Sequence, residues 1–148
     1  MRTLVALLVL LIVVPRVAAG PFEGSDDYKT HLEFLGYTVT DADKALLAKH
    51  PQNFNIFVRA YNGGVLINSV FSGTDKAKSD RIGLLNFLND MNSGSVAARY
   101  YVDKDNDVII EGWYPGSYDK ARFSLFIDKY NLIGQQMHDS NVAKDYLQ

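Results

Sequence analysis

The chain has 148 residues, no cysteine, and 15 Lys and Arg against 17 Asp and Glu, a formal net charge of −2. Without cysteine, disulfides and thiolate metal sites are excluded, so packing of its 47% hydrophobic residues must supply the stability. The basic residues are scattered and form no run, which removes the electrostatic footprint of a nucleic-acid binder or an anionic-membrane binder.

Met1 to Ala19 have the layout of a cleavable export signal. Arg2 gives a positive start, Leu4 to Val14 are apolar, and Val17-Ala18-Ala19 end in small residues. The apolar run is about eleven residues, short of the ~20 needed to span a bilayer core. The expectation is cleavage after Ala19 and release as a periplasmic or secreted protein, with no membrane attachment afterwards. The domain division is then a signal at 1–19, a flexible leader at 20–27 and one domain at 28–148.

Ser25 is placed to cap a first helix whose opening turn carries Asp26 and Asp27. Tyr28, Leu32 and Leu35 share a face of it, and Gly36 stops it. Thr40 to His50 reads two ways, as a capped helix through Ala45, Leu46 and Leu47 or as a short strand. Phe54, Ile56 and Val58 alternate with polar neighbours, the period of a half-buried strand. Asn62-Gly63 suits a tight hairpin turn, and Val65 to Phe71 is the returning strand.

Thr74 is expected to cap one long helix whose stripe is Ala77, Arg81, Leu84, Leu88 and Met91, apolar but for one charged edge and reinforced by Ile82 and Leu85. Ser93-Gly94-Ser95 ends it. A second hairpin follows, Val96 to Val102 and Asp107 to Trp113, turning across Asp103 to Asn106. A last helix starts near Ser117 with Phe123, Phe126, Ile127, Tyr130 and Ile133 on one side, fraying beyond Gly134. The order predicts an α+β fold with helices packed on an antiparallel sheet.

Leu88-Asn89-Asp90-Met91-Asn92, followed by Ala98-Arg99-Tyr100-Tyr101-Val102-Asp103 and Asn106 to Glu111, resembles the YbjN family of bacterial proteins. Leu35-Gly36-Tyr37, Phe123 and Phe126 fit the same layout, so the resemblance covers about Tyr28 to Asn131. It implies a fold similar to type III secretion chaperones, in the order α-β-β-(β)-α-β-β-α, and a regulatory or protein-binding role. It carries no catalytic residues to this chain. Family members are usually read as cytoplasmic, and the export signal departs from that pattern.

The chemistry-bearing residues have plain readings. Asn89 and Asn92, three apart, are expected to clamp the end of their helix to the next strand. Asp103, Asp105 and Asp107 suggest calcium, but Val108 and Tyr114 stand where an EF-hand loop needs Gly and Glu. An acidic turn is the simpler reading, with an exported small-ligand or calcium-binding protein that uses this turn as the alternative function. His31, His50 and His138 lack metal-ligand spacing, and no cofactor is expected. Asp107 and Glu111 lack the apolar pocket that would raise one carboxyl for acid catalysis.

Aromatic residues are the remaining signal. On strands, Tyr100 and Tyr101 must face opposite ways, as must Trp113 and Tyr114. Some of that surface lies outside the core, where a large enough patch marks an interface. Trp113, Tyr101 and Tyr114, with Arg99 as a rim charge, are therefore the expected contact residues of a non-enzymatic module that binds a protein partner, or a second copy of itself (a homodimer), through the aromatic sheet face or by pairing at the sheet edge. Mass spectrometry of the protein from its native source is expected to show an N-terminus at Gly20. A chain starting at Met1 contradicts the export reading.

Overall fold

The structure, a computed structural model, describes residues 20–148. The expected export signal lies outside the described residues. Asn62 and Gly63 hold positive φ angles of 43° and 72° and join β3 (Ile56–Tyr61) to β4 (Gly64–Phe71). Both central residues sit where a type I′ turn needs them, which matches the twist of the flanking strands.

Thr40 to His50 is a hairpin as well, formed by β1 (Thr38–Ala42) and β2 (Ala45–Lys49) around Asp43, whose φ is 52°. Ala45 to Ala48 are good helix formers. Leu46 and Ala48 nevertheless pair with Val58 and Ile56 and are fully buried, so sheet packing overrides propensity. With β5 (Arg99–Val102) and β6 (Val108–Pro115), the strands form one antiparallel sheet in the order β1-β2-β3-β4-β6-β5.

Helices cover one face of this sheet. Tyr28 and Leu32 of α1 (Ser25–Phe34) and Phe123, Ile127, Tyr130 and Met137 of α4 (Lys120–Asp139) pack in one core with Val39, Leu46, Val58, Ile67 and Ile110. Two tyrosine hydroxyls tie α4 to the strands. The buried Tyr130 hydroxyl lies 3.0 Å from both the Ile110 carbonyl and the Ser69 hydroxyl, and Tyr100 donates to the Ile133 carbonyl at 2.8 Å. Burial pushes the Tyr100 phenol up to about 12, so it stays a donor at any physiological pH.

Four expectations are corrected. Ser25 does not cap α1; Gly24 holds that place at φ 76°, and Ser25 is buried in the first turn. The single long helix is two, α2 (Asp75–Ser79) capped by Thr74 and α3 (Arg81–Ser93) capped by Asp80, whose carboxylate accepts the Gly83 N–H at 3.0 Å. Ile82 and Leu85 are exposed because the buried face of α3 is centred on Leu84, Phe87 and Leu88, at i, i+3 and i+4, and the other two lie off it. The C-terminal segment does not fray. α4 runs through Gly134, where a side chain would collide with Phe54, and α5 (Ala143–Tyr146) follows. Tyr146 then accepts from the Thr74 N–H, and Gln148 donates to Ser72.

Asn92 grips Tyr100 on both sides of its backbone, donating to the carbonyl at 3.0 Å and accepting the N–H at 2.8 Å. Asn89 is exposed and takes no part in this grip, which corrects the expected two-residue clamp. One amide is enough because Asn92 lies in the last turn, level with β5. Asn92→Ala is expected to cost about 1–3 kcal/mol in urea unfolding, since it strands two strand groups, and Asn89→Ala about 0.5 or less. Equal effects contradict this assignment.

Candidate protein-binding face

Strand alternation gives β6 two different sides. Val108, Ile110, Gly112 and Tyr114 face the helices, while Ile109, Glu111 and Trp113 face away. Tyr114 is therefore a core residue and not a contact residue. It packs edge-on against Tyr28 and Phe123, and its hydroxyl accepts the Asp119 N–H at the start of α4.

No helix lies over the other face among the described residues. One row of paired residues crosses all six strands on that side: Thr40, Leu47, Phe57, Asn68, Glu111 and Arg99. The adjoining row runs Ala45, Arg59, Leu66 and Trp113. Trp113 is 48% exposed, with Tyr61, Val70 and Tyr101 also exposed. Its indole Nε1–H donates to the Tyr61 carbonyl at 3.2 Å, which lays the ring across β4. The indole thus has its polar demand met internally and presents an apolar surface already fixed in place.

Arg99 is more than a rim charge. It donates twice to Glu111 Oε1, at 3.1 and 2.6 Å, and Glu111 is 8% exposed. Its guanidinium also lies 5.4 Å from the Tyr101 ring centroid. Loss of Arg99 would leave the Glu111 carboxylate without its charged partner on this face. Between these groups runs an open groove of about 510 Å³, lined by Arg59, Tyr61, Leu66, Arg99, Glu111 and Trp113 with the 96–98 segment. Sequence reasoning missed Arg59 and Tyr61, although their alternation with Val58 and Ala60 carried the signal. It also missed Asn68, whose buried Oδ1 has no hydrogen-bond partner among the described residues.

Other candidates are occupied by structural work. Asp103 Oδ1 accepts the N–H groups of Asp105 and Asp107, and Asp107 Oδ1 accepts that of Gly73, so two of the three carboxylates hold the turn. Among the described residues no three histidine or acidic side chains are grouped to hold a metal ion. A groove of about 620 Å³ beside Phe22 and Tyr28 is lined by Glu23 and Asp27 with no cation or histidine among its lining residues. His31 is buried, with Nδ1 2.8 Å from the Tyr118 hydroxyl and Nε2 3.1 Å from that of Ser124. No helix among the described residues is long and apolar enough to cross a membrane.

No family model matches the chain, and no curated protein matches it. Among solved structures, the crystal structure of YbjN, a proposed transcription regulator from E. coli, aligns with a TM-score of 0.64 at 15% identity. The alignment covers 84% of this chain and 96% of that one. The fold is YbjN-like. At this identity the likeness concerns the architecture alone. The α+β class and the YbjN-like fold agree with the resemblance carried by Leu88 to Glu111, while the expected order α-β-β-(β)-α-β-β-α is corrected: four strands precede α2, because Thr40 to His50 forms a hairpin of its own.

Burial lowers the His31 pKa and Lys120 lowers it further, against a smaller upward pull from Asp128. The folded protein therefore holds the ring neutral below the unfolded value of about 6.5. In that window the unfolded chain binds the extra proton, so stability falls as pH drops below about 6.5. Urea midpoints are expected to decline from pH 7 to 5.5, and His31→Gln to flatten that decline. A wild-type profile flat over this range contradicts it.

Proposed function

We propose that this chain is an exported, non-enzymatic protein-binding module that works through the open face of its sheet. The observation that carries the reading is Trp113, half-exposed yet fixed by its bond to Tyr61. A partner laid over it gains apolar burial without the entropy cost of ordering the ring. Tyr101, Tyr61 and Val70 extend the apolar surface. Glu111 and Arg99 satisfy one another, so the centre of the face can be covered without stranding a charge.

Export rests on the Met1 to Ala19 pattern, and the protein-binding role is supported by the YbjN-like fold. The description of YbjN as a proposed transcription regulator fits action through a macromolecular contact. A net-acidic chain favours protein over DNA as that contact.

Photo-crosslinking tests the assignment. A benzophenone side chain in place of Trp113 or Tyr101, in the protein expressed with its own leader, is expected to give discrete adducts. The same group at Ile82, exposed on α3, is expected to give none. Equal adducts at all three positions, or none at Trp113 and Tyr101, overturns the reading.

A further inference from the structure

The open face differs in sign from the rest of the chain. Among the described strand residues it carries three cations, Lys49, Arg59 and Arg99, and a single carboxylate, Glu111. Arg99 neutralises that carboxylate. Asp41 lies on the helix side, where it meets Lys29 of α1. Arg59 is exposed and takes part in no ion pair among the described residues. It lies in one row with Leu66 and Trp113 and lines the same groove. A lone exposed cation contributes little to folding, so its place beside a fixed indole calls for another account.

We propose that the occupant of this groove is an extended acidic segment of a partner protein, with a carboxylate on Arg59 and an apolar side chain on Trp113. The proposal rests on the protein-binding reading above and names the partner's chemistry. The backbones of Arg59 and Trp113 are two strand spacings apart, about 9.5 Å, but the indole crosses β4 to the Tyr61 carbonyl on β3, so the ring lies nearer to the strand of Arg59 than its backbone does. In an extended segment, residues i and i+2 project to the same side about 6.6 Å apart. A carboxylate two residues from an aromatic or aliphatic side chain therefore presents both groups to the groove together. Electrostatic complementarity of this kind sets selectivity and encounter rate more than total affinity.

Trp113 is the single tryptophan, so its fluorescence reports binding directly. The probes are a blocked nine-residue peptide with Glu and Phe two apart, and versions with Gln or Lys in place of Glu. At low salt the Glu peptide is expected to bind about tenfold more tightly than the Lys peptide, a preference that shrinks as salt screens it. Arg59→Glu is expected to reverse the order. Arg59 is exposed and takes part in no ion pair among the described residues, so this variant is expected to keep its fold, checked by circular dichroism. If all three peptides bind alike, or Arg59→Glu leaves the order unchanged, the acidic partner is refuted while the binding face stands. If no peptide alters the fluorescence, the acidic-segment proposal falls, and crosslinking at Trp113 decides separately whether the face binds protein at all.

Discussion

The two-residue period of β6 controls both what holds this protein together and what it offers outside. Tyr114 and Ile110 turn towards α1 and α4 and become core, so Trp113 and Glu111 must turn the other way. The helices all pack on the first side, held there by apolar burial and by the Tyr100 and Tyr130 hydroxyls. The second side has no such cover among the described residues and is stable without it because its central charge is already paired. Arg99 closes over Glu111, and the Trp113 N–H is met by Tyr61. What is left unsatisfied there among the described residues is apolar area, the cation of Arg59 and the buried Asn68 Oδ1.

Much of the architecture was legible because local chemistry and tertiary packing agree. Asn62-Gly63 has the φ angles that its hairpin requires, and Thr74 caps where a hydroxyl before an aspartate suggests it. Phe54 to Val58 alternate because one side of β3 is core. Agreement failed where a distant contact decided the outcome. Ala45 to Ala48 would suit a helix, but Val58 and Ile56 offer a sheet edge. Asp80 ends one helix and starts another because its carboxylate is shared between the Gly83 N–H and the Tyr146 hydroxyl, sixty-six residues away. Nothing local announces that.

The site was legible in part for the same reason. Alternation requires that only one of Trp113 and Tyr114 be buried, but does not say which; the choice depends on which face α4 covers. Arg99 looked like a peripheral charge because its partner lies twelve residues on, on another strand. Arg59 looked like the polar half of an amphipathic strand until Leu66 and Trp113 were seen beside it. The residues that distinguish this face are thus neighbours in register, not in sequence.

The intrinsic fluorescence of the isolated protein at submicromolar concentration tests this account most directly, because Trp113 is its only tryptophan. A fixed, half-exposed indole flanked by Arg59 and Arg99 predicts emission close to that of indole in water, quenched more strongly by iodide than by caesium. Blue-shifted emission that neither ion quenches would place the ring in a covered environment and contradict an open binding face.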